Sequence, residues 1–320
     1  MAKILTVTLN PAIDVTLQLD VLHVGEVNRH HNVGEVNRHH TVETHAAGKG
    51  LNVAQVLKDL GHDVVVTGFL GEANRQIFDA HFAKEHFENQ FVYIQGETRQ
   101  NIKIAEASGR MTDINGQGLY IDSNAKQQLR EKIQAMIADI DMVVVAGSLP
   151  QGFEPSELRA LIEFLNREGK KVAVDTSGSA LRAAIAANPW LIKPNSDELT
   201  ETYHLPANSF AEQQQLFQSL GHMQIQHIIV SMGEQGVNWL HPTHPLHAQA
   251  PRVQVKSTVG AGDSLVAGMI HGLLSHNSPE ETLKTATAIA SHAVTQIGFH
   301  VPDLSVIEDL KQQIVINSLS

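Results

Sequence analysis

Short apolar segments alternate with stretches of helical periodicity through the second half of this 320-residue chain. The apolar segments cover residues 142–146, 171–175, 190–193 and 227–231, and helical patterns such as 155–168 and 208–221 lie between them. This alternation predicts βαβ units and therefore a mostly parallel sheet flanked by helices. In such a sheet the strands end at a common edge, and that edge is where ligands bind.

Each of these strands runs directly into a polar or glycine-rich turn, at residues 147–150, 175–177, 193–198 and 231–236. We therefore expect the four turns to face one crevice. The first half of the chain predicts strands at 1–9, 63–69, 91–94 and 101–105. It also predicts a helix that Gly61 ends after residue 60, and another helix over residues 72–88.

A glycine-containing turn at residues 257–264, with the sequence STVGAGDS, is the strongest candidate for a ligand site. A strand-like run at 253–256 precedes the turn, and an apolar stripe at helical spacing follows it. The free N–H groups at the start of the predicted helix favour an anion such as phosphate. Asp263 lies in the first helical turn. It can cap the helix, and it can also accept a proton from a hydroxyl that attacks phosphorus.

Composition excludes several classes of protein. The formal charge of −11 disfavours a nucleic-acid or membrane-surface binder, since phosphate-rich surfaces are held by Lys and Arg. The chain has no cysteine, so it forms no disulfide and no thiolate metal site. We see no signal-peptide pattern and no apolar run of membrane-spanning length. We therefore expect a soluble cytoplasmic protein.

An octapeptide, VGEVNRHH, occupies residues 24–31 and recurs at 33–40. The nine-residue period is too short for a solenoid unit, which indicates a local duplication within a strand or hairpin, with one spare copy. The region is rich in histidine, but no carboxylate or thiolate stands at a recognised ligand spacing. Solvated strand histidines are therefore favoured over a metal site.

Three further patterns each have a functional and an ordinary interpretation. Gly48, Lys49 and Gly50 resemble part of a P-loop, but glycine replaces the hydroxyl residue that would bind magnesium, leaving a glycine-rich helix start with a nearby cation. Arg99 and Lys103 are four residues apart and therefore share a face of a regular strand. That face is either a solvent-exposed charged surface or a pair of cations that binds a substrate phosphate. Asp14 is either a turn residue or a ligand contact.

Together these residues resemble the ribokinase-like carbohydrate kinases, in their phosphofructokinase-B branch. The matching motifs, in the family's order along essentially the whole chain, are NPAID at 10–14, GEVN, AAGKGLN at 46–52, GSLP at 147–150, KPNxxE at 193–198 and STVGAGDS at 257–264. The resemblance implies a doubly wound α/β fold with a small β-sheet lid. It implies one kinase domain over 1–320, with the lid from about 11–45 and 91–118 and the core from about 1–10, 46–90 and 119–320. In this family the lid often forms a homodimer contact.

The resemblance also implies roles for individual residues. Asp263 would be the catalytic base, and the N–H groups of Gly260, Ala261 and Gly262 would form an anion hole. Asn195 and Glu198 would order Mg²⁺ through water. The nucleotide side would be formed by Lys193, Asn195, Ser231, Gly233, Gly236 and Gly262. The sugar phosphate would be held by Asp14, Gly48, Asn52, Arg99 and Ser148, with Lys49 and Lys103 as further candidates.

Within the branch, residues 46–50 together with Thr112, Asp113 and Asn115 are most similar to the bacterial 1-phosphofructokinases. That similarity implies ATP- and Mg²⁺-dependent phosphorylation of the 6-hydroxyl of fructose 1-phosphate. Tagatose-6-phosphate kinases and minor 6-phosphofructokinases are the alternatives within the family. A non-catalytic sensor of sugar phosphate or nucleotide on the same fold is the alternative from another class.

Deletion of residues 24–32 tests the interpretation of the repeat. We expect the shortened chain to fold and to retain activity, because one complete copy of the octapeptide remains. Thermal unfolding and a steady-state assay beside the full-length chain measure both. A shortened chain that does not fold would show that the extra copy is structural.

Overall fold

The computed structural model describes residues 1–28, 43–221, 224–241, 243–296, 298, 300–301 and 303–319. The second copy of the octapeptide, and the first copy from residue 29 onward, lie outside these residues. The strands are β1 (Lys3–Thr8), β2 (Ala12–Leu19), β3 (Glu43–Ala47), β4 (Asp63–Gly71), β5 (Glu88–Asn89), β6 (Val92–Ile94), β7 (Gln100–Glu106), β8 (Met111–Asn115), β9 (Met142–Ala146), β10 (Lys171–Asp175), β11 (Leu191–Ile192), β12 (His227–Ser231), β13 (Val237–Trp239), β14 (Leu246–Ala248) and β15 (Ile316–Ser318). The helices are α1 (Lys49–Asp59), α2 (Gln76–Glu85), α3 (Ser123–Met136), α4 (Pro155–Arg167), α5 (Gly178–Ala186), α6 (Ser196–Tyr203), α7 (Phe210–Ser219), α8 (Ala261–Leu274), α9 (Pro279–Ala293) and α10 (Leu304–Lys311).

The large sheet confirms the predicted α/β fold. Its strand order is β15-β14-β13-β12-β11-β10-β9-β1-β4-β5, and β6 also pairs with β4. The ladders from β12 to β5, and the pair of β4 with β6, are all parallel. The order reverses between β9 and β1, which places a crevice at that point beyond the carboxyl ends of the strands. The sequence did not indicate the antiparallel edge formed by β13, β14 and β15.

Helices cover both faces of this sheet. One apolar core contains side chains of α1, α2, α8, α9 and α10, and the other contains side chains of α3 to α7. Neighbouring residues of a strand point to opposite cores, as the pleat requires: Val144 of β9 packs in the first core and Val143 in the second. The parallel strands are buried on both sides and are therefore almost continuously apolar.

A separate four-stranded sheet, which we call the lid sheet, has the order β3-β2-β7-β8. Strands β2 and β7 pair in parallel, and the outer pairs, β2 with β3 and β7 with β8, are antiparallel. Strand β6 belongs to the large sheet, so the second segment of the lid sheet, formed by β7 and β8, begins at Gln100. A small separate sheet was predicted, and the structure confirms it.

The predicted strand at 253–256 is wrong. Both edges of β14, the strand that precedes this run in the sequence, are already occupied by β13 and β15, so the run cannot pair with β14 as a hairpin would. The N–H groups of Lys256 and Ser257 instead donate to the carbonyl oxygen of Val294, just beyond α9. The apolar residues of this run are therefore only partly buried at Val253 and exposed at Val255.

Helix α8, which follows the glycine-containing turn, is held close to α9 by two glycines. A Cβ atom added to Gly268 would lie 2.6 Å from the Cα atom of Ala286, and one added to Gly272 would lie 2.8 Å from Thr282 Cγ2. Glycine in a helix interior lowers helix propensity, so its value here is the close approach of the two helices.

Among the described residues, no helix is long and apolar enough to span a membrane.

Candidate active site

The turn before α8 has the geometry that the sequence predicted. Gly260 adopts a left-handed conformation (φ 82°) and forms the N-cap, and Ala261 is the first helical residue. The first intrahelical bond runs from the N–H of Ser264 to the carbonyl of Gly260, at 2.8 Å. The preceding N–H groups therefore lie at the positive end of the helix dipole, where helix geometry gives them no intrahelical acceptor. This arrangement can bind an anion.

Asp263 lies beside these N–H groups and is only 5% exposed. Its Oδ2 atom accepts a hydrogen bond of 2.7 Å from Nδ2 of Asn52 on α1. Burial raises the pKa of the Asp263 carboxyl to about 6; Lys49 opposes this shift and Asp175 adds to it. The carboxylate is therefore ionised at neutral pH and still basic enough to accept a proton.

Asp175, at the carboxyl end of β10, links two lysines of the site. The sequence did not indicate it as a site residue. It is fully buried, and its carboxylate forms ion pairs with Nζ of Lys49 at 3.3 Å and Nζ of Lys193 at 3.4 Å. Burial alone would raise the pKa of Asp175, but the two ammonium groups outweigh burial and hold the pKa below its ordinary value. The Asp175 carboxylate in turn raises the pKa of Lys49.

Lys193 lies against the glycine-containing turn as well as against Asp175. A Cβ atom added to Gly262 would lie 3.2 Å from Nζ of Lys193, although that side chain is almost fully buried. An anion seated on the first turn of α8 would therefore meet a fixed ammonium group. The structure brings together the predicted residues Asn52, Lys193 and Asp263.

The residues predicted for the nucleotide side lie at the carboxyl ends of β11 and β12. Asn195 caps α6 through a capping box: its Oδ1 accepts from the N–H of Glu198 at 2.7 Å, and Oε2 of Glu198 accepts from the N–H of Asn195 at 2.8 Å. Ser231 forms a parallel bridge with Asn195. Gly233 and Gly236 both have positive φ in the loop that follows. One side-chain oxygen of each residue thus serves the helix cap, and acceptor capacity remains on Glu198.

The sugar-side candidates from the lid sheet lie on paired strands. Asp14 on β2 is in register with Asn101 on β7 and accepts a 3.0 Å hydrogen bond from its Nδ2 atom. Lys103, two residues farther along β7, forms an ion pair with the same carboxylate, and both side chains are only 14% exposed. The two cations predicted as a pair therefore have different partners: Lys103 neutralises Asp14, while Arg99 binds elsewhere.

Arg99 precedes β7, and its guanidinium donates to three backbone carbonyl oxygens. Nη2 donates to Asn10 at 2.9 Å, Nη1 to Gly116 at 2.9 Å and Nε to Pro11 at 3.3 Å. These carbonyls belong to segments that enter and leave the lid sheet. Nothing in the spacing of Arg99 and Lys103 along the sequence indicates this arrangement.

Gly48 and Ser148 lie where the lid sheet meets the core. Gly48 has φ of 145°, and a Cβ atom there would lie 2.7 Å from Thr8 Cγ2, so the start of α1 lies directly against the end of β1. The Oγ atom of Ser148 accepts from Nδ2 of Asn10 at 3.1 Å. Both residues are therefore at the crevice predicted between β1 and β9.

Comparisons with known proteins agree with this geometry. Residues 8–304 match the pfkB family of carbohydrate kinases. The chain is 42% identical over 317 residues to the 1-phosphofructokinase of Vibrio cholerae, covering 99% of this chain and 97% of that protein. It is 32% identical to a tagatose-6-phosphate kinase of Staphylococcus epidermidis, with 98% and 99% covered.

A solved structure supports the same assignment. Phosphofructokinase-2 from Escherichia coli, in complex with potassium, superposes with a TM-score of 0.86 at 26% identity, covering 98% of this chain and 99% of that one. The resemblance inferred from the motifs is thus confirmed across nearly the whole length, and the chain belongs to the pfkB family of carbohydrate kinases.

Proposed function

We propose that this chain is an ATP-dependent kinase that phosphorylates the 6-hydroxyl of fructose 1-phosphate to give fructose 1,6-bisphosphate. The observation that carries the proposal is the buried carboxylate of Asp263, next to a helix N-terminus that can seat a phosphoryl group and to the ammonium groups of Lys49 and Lys193. The identity to 1-phosphofructokinases supports the choice of sugar.

Asp263 acts as general base in this proposal. The proton of the 6-hydroxyl moves to the carboxylate, the bond from that oxygen to the γ-phosphorus forms, and the bond to the leaving oxygen of ADP breaks. The hydrogen bond from Asn52 fixes the orientation of the carboxylate. With a pKa of about 6, the base is matched to neutral pH.

The N–H groups of Gly260, Ala261 and Gly262 act as the anion hole for the transferred phosphoryl group. Preorganised donors of this kind contribute about 3–4 kcal/mol each in other enzymes. Lys193 lies against the same turn and would neutralise the nucleotide phosphates. On the nucleotide side, Ser231, Gly233 and Gly236 would shape the loop beside the base and ribose.

Asn195 and Glu198 would hold Mg²⁺ through water, since their capping box leaves oxygen acceptors at the mouth of the crevice. The ion would shield the negative charge of the nucleotide phosphates. Asp14, Lys103, Gly48, Ser148 and Arg99 would hold the sugar phosphate from the lid sheet and its joints, with Lys49 beneath them.

Other acceptors and a non-catalytic role remain testable alternatives. A tagatose-6-phosphate kinase is among the relatives, so tagatose 6-phosphate is the second candidate acceptor, followed by fructose 6-phosphate. A sensor would bind nucleotide and sugar phosphate without turnover. The complete constellation of base, anion hole and lysines favours catalysis over sensing.

A screen of three sugar phosphates tests the proposal. We expect ADP release with fructose 1-phosphate, tagatose 6-phosphate and fructose 6-phosphate to give the highest kcat/KM for fructose 1-phosphate. A higher value for either other sugar would reassign the substrate. Tight binding of all three without ADP release would establish the sensor.

The control for this screen is Asp263→Asn. The substitution keeps the size of the side chain and removes the base, so kcat should fall by about two to four orders of magnitude while ATP still binds. Near-normal turnover in this variant would remove Asp263 from the proposed role.

The pH dependence of kcat/KM reports the state of Asp263. Only the ionised carboxylate accepts a proton, so the rate should fall about tenfold per pH unit below about 6, instead of near 4 as for an ordinary aspartate. Lys49 lowers the pKa of Asp263, so Lys49→Met should move this acidic limb to higher pH. An acidic limb that Lys49→Met leaves in place would exclude Asp263 as its origin.

We also propose that residues 1–320 act as a single kinase domain and that two chains associate through the lid sheet. The lid sheet exposes apolar side chains, including Met111 and Ile114 on its edge strand β8, which a partner could cover. Sedimentation equilibrium should give a dimer, and Ile114→Lys should shift it to monomer. A chain that remains monomeric at high concentration would contradict this association.

A further inference from the structure

The lid sheet is attached to the core by four short joints. Residues 9–11 connect β1 to β2, residues 95–99 connect β6 to β7, and residues 116–122 connect β8 to α3. The fourth joint is Gly48, between β3 and α1. These joints are far apart in the sequence but adjacent in space. Their relative placement decides where Asp14 and Lys103 stand with respect to Asp263.

One of these joints is fixed to the core just before Arg99. Thr98 and Asn74 exchange two hydrogen bonds of 2.9 Å, from the N–H of Thr98 to Oδ1 and from Nδ2 to the carbonyl of Thr98. The Oγ1 atom of Thr98 also accepts from the N–H of Gly71, at the end of β4, at 2.8 Å. The backbone immediately before Arg99 is therefore fixed to the large sheet.

From that point the side chain of Arg99 reaches two other joints. Its three donors bind the carbonyls of Asn10 and Pro11 in the first joint and of Gly116 in the third. Its own carbonyl accepts from the N–H of Ile13 on β2 at 2.8 Å. A single planar, charged group thus links three of the four joints, and hydrogen bonds to a charged donor are stronger than neutral ones.

The side chain of Asn10 continues this network into the core. Its Nδ2 atom donates to the carbonyls of Gln117 and Leu149, both at 3.4 Å, besides Ser148. A Cβ atom at Gly118 would lie 2.1 Å from Oδ1 of Asn10, so the third joint lies directly on this amide. The joints therefore leave little room for an alternative angle of the lid sheet.

We propose that Arg99 is a positioning residue that sets the angle between the lid sheet and the large sheet, by clamping the joints at residues 10–11 and 116 to the fixed backbone at Thr98. This role is separate from contact with a substrate. The guanidinium has five N–H donors, and three serve the clamp, so two remain for a phosphate oxygen. The consequence for turnover rests on the proposed kinase function, but the consequence for the lid sheet does not.

Two variants test the clamp, and one serves as control. Arg99→Lys keeps the charge but cannot reproduce a planar, three-donor fork. Gly116→Ala leaves every side-chain donor in place, but its Cβ atom would lie 2.8 Å from the carbonyl oxygen of Gln100 and 3.2 Å from Arg99 Cβ, which forces the joint open. The control is Arg110→Lys, the same substitution at the far end of the lid sheet, where the cation pairs with Glu106.

Hydrogen exchange of the ligand-free protein is the first measurement. Amides of β2, β7 and β8 should exchange about tenfold faster in Arg99→Lys and Gly116→Ala, while amides of β9 and β10 keep their protection and show that the core is folded. Arg110→Lys should leave exchange near the joints unchanged. Unchanged exchange of the lid sheet in both clamp variants would overturn the proposal, whatever happens to activity.

Steady-state kinetics is the second measurement. A misplaced lid sheet misaligns the acceptor, so kcat should fall about tenfold to a hundredfold in Gly116→Ala, which loses no phosphate-binding group. If only Arg99→Lys is impaired, and only through a higher KM for the sugar phosphate, Arg99 serves the substrate alone and the clamp is overturned. Absence of kinase activity in the unmodified chain would refute the proposed function, while the exchange data would still decide on the clamp.

Discussion

The ion pairs of Asp175 with two lysines are the interaction on which the site depends. A fully buried carboxylate is very costly unless it is paired, and here two ammonium groups pair it at the carboxyl end of β10. One lysine begins α1 and the other follows β11, so a single carboxylate fixes cations from both sides of the crevice. The cations would repel each other without it.

The same arrangement explains why two neighbouring buried aspartates have opposite properties. Asp175 contacts two ammonium groups that lower its pKa, whereas burial raises the pKa of Asp263, whose hydrogen-bond donor is the neutral amide of Asn52. One carboxylate is thereby kept charged at neutral pH and anchors the two lysines. The other can exchange a proton near neutral pH, which is the difference in environment that acid–base chemistry needs.

The sequence predicted those parts of the fold and site that local pattern specifies. The buried parallel strands and the turn at Gly260 follow from apolar runs and glycine, and the structure has both. The strand predicted at 253–256 is not formed, because a strand needs a partner and pairing is decided by the rest of the sheet. Asp175 was missed because an aspartate after an apolar strand looks like any turn residue until Lys49 and Lys193 converge on it. The carbonyls that Arg99 binds come from segments that meet only in the folded chain.

The close contact of α8 with α9, which Gly268 permits, divides the molecule into parts with different freedom to change. The helix that carries Asp263 is wedged in the interior, where an added methyl group has no space. The lid strands instead carry exposed side chains, such as Met111 and Ile114 of β8. A substitution at such a position can therefore alter the surface of the lid sheet without shifting the helix that carries Asp263.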